Sequence, residues 1–373
     1  METVKVLIDN IDPDKGVLGN IIKTHNPHHA LEAIFTSKIA NIEYHASGTL
    51  KYISKLGKYV YPIIMSNLTY INFMFSIGPD GTHDVISLLP EQVKRAYFKN
   101  KVTVLIVIFE PLGGTNTSID IKTFVKMIEQ NPRYNNILFL TLHYIDSPNF
   151  MFINILQNIM KDWSTLSDSS IPYDKLENYD NRRFCCFLMN HNESKERDWL
   201  LKFFISNNLV NKGFISAANW SGDELLFNNL DLVSTLNKSA INIIPEGNFE
   251  RELDHFMSEK TYRSFLYKKP FIYLGQYQGL KYIKTLGYRT FSSIIDESYD
   301  DIENDKRRVA AVCKEIKRLM SKPFTEFKKD MKQLEDICNY NYDRYFYNKE
   351  KYKDKFYKKI YGTNNEPYNN KKL

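Results

Sequence analysis

The chain has 373 residues, of which 43% are hydrophobic and 25% are charged; this composition is typical of a globular protein and excludes a largely disordered one. Fifty Lys and Arg against 44 Asp and Glu give a net charge of +6. This excess is too small for a dedicated nucleic-acid binder, but it is compatible with a polyanionic acceptor. The first residues lack a secretory signal, and no run reaches the length of a membrane span. The sequence therefore predicts a protein of a reducing cytoplasm that does not enter a membrane.

The cysteines support the same compartment. They show neither CxxC spacing nor an accompanying histidine pattern, and they are Cys185, Cys186, Cys313 and Cys338. Cys185 and Cys186 are neighbours in a strand-like run, so their side chains point to opposite faces. We therefore expect reduced, buried thiols instead of a disulfide or a zinc site.

The first half of the chain alternates predicted strands and helices. Strands are predicted over residues 4–9, 102–109 and 136–142, with a helix over 121–130 between the last two. This βαβ order predicts an N-terminal α/β domain over residues 1–175. The turn-rich stretch 164–181 is the candidate linker to a second domain over residues 176–322.

The second half repeats the rhythm. A helix begins after Ser258, Pro270 ends it, and residues 271–274 predict a buried strand. A helix over 279–286 with Gly287 as its C-cap and a short strand over 288–291 complete the pattern. Helices alternating with strands in this way predict a parallel sheet, whose ligand crevice lies at the carboxyl ends of the strands.

The remaining sequence predicts helices. One spans 300–321 and carries an apolar stripe at three- and four-residue steps, Pro323 breaks it, and a second runs from 324 to about 360 within a helical segment over 323–361. Residues 362–373 are expected to be mobile. The Tyr- and Lys-rich stretch 340–361 has two open interpretations: it contacts nucleic acid through stacking and charge, or its tyrosines cover a neighbouring domain.

The helix after Ser258 carries the chemistry of a phosphate site. Ser258 as N-cap leaves Glu259, Lys260 and Arg263 in the first turn and a half, where unpaired amide groups and the helix dipole favour an anion. Lys260 and Arg263 are three apart and can clamp a diphosphate from one side. Glu259 can accept hydrogen bonds from vicinal sugar hydroxyls. The alternative is an ordinary α/β unit with a solvated basic helix start.

Three segments together resemble a known family. They are Glu246 followed about a dozen residues later by Ser258-Glu259-Lys260-Thr261-Tyr262-Arg263 and Pro270-Phe271-Ile272-Tyr273-Leu274-Gly275, then Ile283-Lys284-Thr285-Leu286-Gly287-Tyr288-Arg289-Thr290-Phe291, and Asp296-Glu297-Ser298-Tyr299-Asp300. The first resembles the nucleotide-sugar motif of the alpha-fucosyltransferases. All three resemble fucosyltransferase-like glycosyltransferases of tailed phages, which are of the GT-B type, over about residues 180–320.

The resemblance implies two Rossmann-like domains facing a cleft, with a C-terminal helix that crosses back to the first domain. It implies that Glu246, Lys260 and Arg263 contact the donor nucleotide and its phosphates, while Glu259 holds the ribose or the transferred sugar. Asn190 and Arg197 match a further pair of the family's strand-to-helix entry, although residues 191–194 replace its basic, proline-containing loop. The implied donor is a UDP- or GDP-sugar. Hydroxylated bases of phage DNA and a glycan both fit as the acceptor, in the cytoplasm of the host.

Inverting transfer needs a base for the acceptor hydroxyl, and Glu110 is the first candidate because it ends a buried strand before a Gly-Gly turn. A solvated strand-end carboxylate is the alternative for Glu110. His143 follows the next predicted strand and could approach the same place, with a structural histidine as its alternative. Weaker candidates for the base or for phosphate contact are Asp120, Asp146, His45, His191 and Asn192.

Metal and dinucleotide chemistry are not predicted. The nearest match to a DxD pair, Asp12 and Asp14, encloses Pro13 and predicts a turn, so cationic side chains would stabilise the leaving diphosphate in place of a metal. The GxGxxG pattern is missing, which disfavours an epimerase or dehydrogenase, and the GxxxxGK[ST] pattern is missing, which disfavours P-loop chemistry. The leading hypothesis is a glycosyltransferase, and the rival is a noncatalytic binding protein that keeps a nucleotide-sugar fold.

Overall fold

The computed structural model shows a mixed α/β protein with parallel sheets. It describes residues 3–8, 41–46, 58–65, 85–87, 89–108, 121–141, 147–152, 182–188, 194–217, 232–246 and 257–361. The chain divides into two compact units, one formed by Met1–Thr165 with Lys349–Leu373 and the other by Leu166–Asn348. The predicted linker over 164–181 and the predicted mobile tail lie outside the described residues.

The first unit contains a six-stranded sheet in the order β2-β1-β3-β4-β5-β6, and every described pair of strands is parallel. Its strands are β1 Thr3–Ile8, β2 Asn41–Ala46, β3 Tyr59–Met65, β4 Val102–Ile108, β5 Ile137–Thr141 and β6 Phe150–Phe152. Its described helices before the second unit are α1 Glu91–Phe98 and α2 Ile121–Gln130. The three strands and the helix predicted from the sequence here are confirmed to within one residue.

The core of the first unit explains why β4 and β5 are continuous apolar runs. Both faces of a central parallel strand are covered by other elements, so the side chains on both faces are buried and the strand has no alternation of apolar and polar residues. Leu105 and Ile106 of β4 are fully buried. Phe139 of β5 stacks on Phe150 of β6 with ring centroids 4.6 Å apart, and Phe124 of α2 packs edge-on against Phe139 at 5.6 Å. Aromatic packing therefore joins α2 to this edge of the sheet.

The second unit contains a four-stranded parallel sheet in the order β10-β9-β7-β8. Its strands are β7 Phe184–Phe187, β8 Gly213–Ser216, β9 Ile241–Pro245 and β10 Phe271–Leu274. Its helices are α3 Lys195–Ser206, α4 Leu232–Asn237, α5 Glu259–Leu266, α6 Gly279–Thr285, α7 Asp305–Ser321, α8 Phe324–Gln333 and α9 Glu335–Tyr361, of which the last extends into residues assigned to the first unit. The strand order reverses at β7, because β8 lies on one side of it and β9 and β10 on the other. The carboxyl ends of β7 and β9 therefore flank a topological switch point.

The strand predicted over 288–291 is wrong. The amide and carbonyl of Arg289 bond to the side chain of Asn341, each at 2.8 Å, and the amide of Phe291 donates to Glu297 at 2.6 Å. Side chains occupy the backbone groups that a strand would offer to a neighbour. Tyr288 instead stacks on Phe265 of α5, with ring centroids 3.9 Å apart.

Two helix boundaries also differ from prediction. The helix expected from residue 300 begins at Asp305 with Asn304 as its N-cap, because Asp300 caps α6 through the amides of Leu280 and Lys281 at 2.9 and 3.0 Å. The helix expected from 324 to 360 is two helices that meet at the fully buried Leu334. The predicted stripe of α7 is confirmed, since all four of its members are buried: Val309, Val312, Ile316 and Leu319.

The four cysteines are buried free thiols, as the sequence predicted. Burial raises the pKa of the Cys185 thiol to about 12 and that of Cys313 to about 12. Among the described helices, none is both long enough and apolar enough to cross a bilayer.

Lys269 is a buried cation between α5 and β10. Its side chain is 6% exposed, and its ammonium donates to the carbonyl of Ser239 at 2.9 Å. Burial is the main cause that lowers the pKa of Lys269 from 10.5 to about 8, against opposing contributions from Cys185 and Cys338. The folded state therefore disfavours the charged ammonium.

This burial predicts a pH-dependent stability. Because the pKa of Lys269 is about 8 in the folded protein and 10.5 in the unfolded chain, the unfolded chain binds more protons between these values, and stability rises with pH there. We expect the free energy of unfolding of the wild type to gain about 1 kcal/mol relative to Lys269→Met between roughly pH 7.5 and roughly pH 9. Urea unfolding of both proteins at several pH values measures this difference, and parallel curves would contradict the burial of a titrating lysine.

Candidate functional site

The end of β9 is joined to the start of α5 by a buried carboxylate. Glu246 directly follows β9 and is 0% exposed. Its Oε1 accepts hydrogen bonds from the amide of Ser258 at 3.1 Å and from the hydroxyl of Thr261 at 2.6 Å. The amide of Glu246 donates to the carbonyl of Leu274 in β10 at 2.8 Å. The first turn of α5 is thus fixed to the carboxyl edge of the sheet.

Ser258 is the N-cap of α5, as predicted. Its hydroxyl accepts from the amide of Lys260 at 3.2 Å, and its carbonyl accepts from the amide of Thr261 at 3.2 Å. The amides of Ser258, Lys260 and Thr261, which were expected to bind a phosphate, therefore donate hydrogen bonds to Glu246 and Ser258 instead. An anion at this helix would be held by side chains.

Lys260 and Arg263 are the basic side chains of α5. Both are partly exposed, and their three-residue spacing places them on neighbouring positions of the helix surface. Glu259 is the first residue of α5, and its side chain lies outside the described part of the structure. The helix therefore carries two partly exposed cations next to the end of β9.

Arg197 brings a third cation to the switch point. It lies in the first turn of α3, where Ser194 is the N-cap and accepts from the amide of Arg197 at 3.4 Å. Its side chain is 8% exposed and donates through Nη2 to the carbonyl of Pro245 at 3.1 Å, while its buried Nε has no hydrogen-bond partner among the described residues. A guanidinium from the helix after β7 therefore lies against the end of β9.

Arg197 forms no ion pair with a residue in the described part of the chain. Its side-chain hydrogen-bond partner there is a neutral carbonyl, and buried charges are normally paired with an opposite charge. The neighbouring Cys186 does not supply one, because burial raises the pKa of its thiol well above the ordinary value and keeps it neutral. The arrangement favours an anionic ligand at the ends of β7 and β9.

The end of β10 is filled by protein groups. Asp300 caps α6, and burial raises the pKa of Asp300 while the amides of Leu280 and Lys281 lower it. Arg308, 2% exposed, donates to the carbonyl of Gly275 at 2.9 Å. Burial, followed by the charges of Glu246 and Asp300, raises the pKa of Tyr273 well above its ordinary value. This edge offers a ligand fewer groups than the end of β9 does.

The acidic segment 296–300 forms hydrogen bonds with the backbone of neighbouring elements. Glu297 accepts from the hydroxyl of Thr290 at 2.7 Å and from the amide of Phe291, and burial raises the pKa of Glu297. The hydroxyl of Tyr299 accepts from the amide of Tyr273 at 3.3 Å. The segment therefore anchors β10 and the start of α6. Sequence reasoning missed these contacts, together with Thr261 and Arg308, because local patterns do not reveal which distant backbone groups need a partner.

Several predicted site residues fall outside the description. Those with no described position are Glu110, His143, Asn190, Asp120, Asp146, His191 and Asn192. His45 lies in β2, but its side chain is outside the described residues. The structure bonds Glu246 to the first turn of α5, which carries Lys260 and Arg263, and it places Arg197 against the carbonyl of Pro245. The roles of these residues in ligand binding stay predictions, as do those of Glu110 and His143.

Comparisons with known proteins return neither a matching family model nor a matching curated protein. Among solved structures, the glycotransferase of kitacinnamycin is similar at 9% identity and a TM-score of 0.37, over 96% of this chain and 99% of that one. The glycosyltransferase SnogD from Streptomyces nogalater is similar at 10% identity and a TM-score of 0.34, over 91% and 95%. Neither likeness assigns a family, and the resemblance to fucosyltransferase-like phage enzymes stays a prediction.

A substitution at Gly279 tests the close packing of Tyr273 at the end of β10. A Cβ added at Gly279 would lie 2.3 Å from the Tyr273 ring, closer than side-chain contacts allow. We expect Gly279→Ala to lower the free energy of unfolding by about 1–3 kcal/mol, as overpacking does. Urea unfolding of the variant and the wild type measures the change.

The control places the same substitution in a Tyr273→Leu background. Without the ring, alanine at the start of α6 should be neutral or stabilising, because it has a higher helix propensity than glycine. An equal loss in both backgrounds would contradict the contact.

Proposed function

We propose that the chain is a glycosyltransferase whose nucleotide-sugar donor binds at the carboxyl edge of the second-unit sheet, beside β7, β9 and α5. The observation that carries the proposal is the buried Arg197 guanidinium at the switch point, which lacks a counter-charge among the described residues. A diphosphate supplies that charge, and a planar guanidinium is well suited to bind it through two parallel hydrogen bonds.

The neighbouring helix extends the same chemistry. Lys260 and Arg263 lie on α5, whose start is tied to the residue after Pro245, the residue whose carbonyl Arg197 contacts. Together with Arg197, the cations of this helix would suit a leaving group that gains negative charge as the sugar departs. They would stabilise the departing diphosphate without a metal ion.

The sugar part of the proposal depends on the sequence resemblance. The segment from Ser258 to Arg263 matches the nucleotide-sugar motif of the fucosyltransferase-like group, and Glu259 is its residue for the ribose or the transferred sugar. A UDP- or GDP-sugar is the proposed donor, and Glu110 is the proposed base for an inverting transfer to a hydroxyl of a glycan or of a hydroxylated base in DNA.

A thermal-shift screen against UDP-, GDP-, ADP- and CMP-sugars tests donor binding. We expect one nucleotide class to raise the melting temperature of the wild type, because a ligand that binds only the folded state stabilises it. If no nucleotide sugar at millimolar concentration shifts the wild type, the proposal is wrong. A binder that is never hydrolysed or transferred would favour the noncatalytic nucleotide-sugar protein.

Variants then locate the site. We expect Arg197→Gln to weaken binding of the nucleotide found in the screen by about tenfold or more, equivalent to about 1.4 kcal/mol, in calorimetry. Lys260→Ala and Arg263→Ala should also weaken it, whereas Lys332→Ala on the exposed surface of α8 should not. Without ligand, Arg197→Gln should melt at the same or a higher temperature, since it removes a buried charge without a counter-charge. A large loss of stability with unchanged affinity would give Arg197 a structural role instead.

A further inference from the structure

We propose that Glu246 is a positioning residue which sets the orientation of α5, and that it acts on the ligand through Lys260 and Arg263 instead of touching the donor itself. The inference rests on the proposed function, and it differs from the sequence resemblance, which implied that Glu246 contacts the nucleotide. The group formed by Glu246, Ser258 and Thr261 is called the β9–α5 latch.

The contacts of the latch are short and buried. Glu246 is 0%, Thr261 0% and Ser258 3% exposed. The Thr261 hydroxyl donates to Oε1 at 2.6 Å, the length of a charge-assisted bond to a carboxylate, and the Ser258 amide donates to the same oxygen. Bonds of this type are stronger than neutral ones, so the latch resists rotation of the helix.

Its charge also suits a scaffold. A carboxylate at the start of a helix is stabilised by the positive end of the helix dipole. In turn, Glu246 neutralises that end, so the amides of α5 are a poor site for a second anion. The binding of a diphosphate there is left to the side chains that the latch orients.

The latch holds Ser258 and Thr261, the residues that flank Lys260 and precede Arg263 in the sequence. Lys260 lies between Ser258 and Thr261 in the sequence, and Arg263 follows Thr261 by two residues on the same short helix. Because hydrogen-bonded contacts to a ligand lose strength steeply with misplacement, a small rotation of α5 would weaken both cation contacts together. The affinity for the donor should therefore depend on Thr261, a side chain that is wholly buried.

The experiment uses four variants of the full chain: Glu246→Ala, Glu246→Gln, Thr261→Val and the double variant Glu246→Ala with Thr261→Val. Gln keeps an oxygen that accepts from both donors, and Val nearly keeps the shape of Thr. The matched control is Thr285→Val, which removes a hydroxyl bonded to the carbonyl of Tyr282 at 2.7 Å on α6. Amide hydrogen exchange at the start of α5, measured without ligand, is one readout. Calorimetry with the nucleotide sugar found in the thermal-shift screen is the other.

We expect Glu246→Ala and Thr261→Val each to speed exchange at the start of α5 and to weaken binding by about tenfold. The double variant should bind about as weakly as the worse single variant, because both substitutions break the same latch. Thr285→Val should stay within about twofold of the wild type, whereas Glu246→Gln, which keeps the accepting oxygen but loses the charge, should lose less affinity than Glu246→Ala. If Glu246→Ala fails to fold, Thr261→Val and Glu246→Gln still decide the matter.

The outcomes separate this inference from the proposed function. Wild-type affinity in Thr261→Val, with equal losses in Glu246→Gln and Glu246→Ala, would show that Glu246 contacts the ligand and would overturn the inference. Unchanged exchange in Glu246→Ala and Thr261→Val would overturn it without any ligand. If the wild type binds no nucleotide sugar while Glu246→Ala and Thr261→Val speed exchange and Glu246→Gln speeds it less, the proposed function fails and the latch stands.

Discussion

The two residues at the end of β9 are bonded to three other elements of the second unit. Pro245 accepts from Arg197 of α3, the amide of Glu246 donates to Leu274 of β10, and the carboxylate of Glu246 holds the first turn of α5. This strand end sets where a buried cation lies and how the next helix begins, so the geometry of the candidate site depends on it.

The helix starts at the carboxyl edge of this parallel sheet differ in which groups occupy their first amides. Every helix after a parallel strand presents amide groups at the carboxyl edge, and each could accept an anion. Asp300 takes the amides of α6, while Glu246 and Ser258 take amides of α5. Internal carboxylates and hydroxyls thus satisfy these backbone amides, whereas the buried guanidinium of Arg197 donates to a neutral carbonyl. This difference is the reason for proposing the anionic ligand beside Arg197 and not at either helix start.

Local patterns in the sequence predicted those parts of the fold that depend on local forces. The buried runs of β4, β5 and β10, the N-cap Ser258 and the stripe of α7 all express burial or capping within a few residues. The strand predicted over residues 288–291 was wrong because Asn341, far along the chain, bonds to the amide and the carbonyl of Arg289. Asp300 was assigned to the following helix because nothing nearby shows that it caps the preceding one. The burial of Glu246 and the position of Arg197 likewise depend on packing between distant segments.

The aromatic and basic start of α9 illustrates how the same composition can serve packing. Arg289 lies 3.8 Å from the ring centroid of Tyr340, and Lys268 lies 4.6 Å from that of Tyr342, so these rings already carry cations of their own unit. Tyr345 is 2% exposed and packs against Tyr262 of α5. For this part of the helix, the contacts favour the interpretation in which tyrosines cover protein surface over the one in which they stack on bases. Since Tyr262 directly follows Thr261, this packing contacts the same part of α5 that the latch orients.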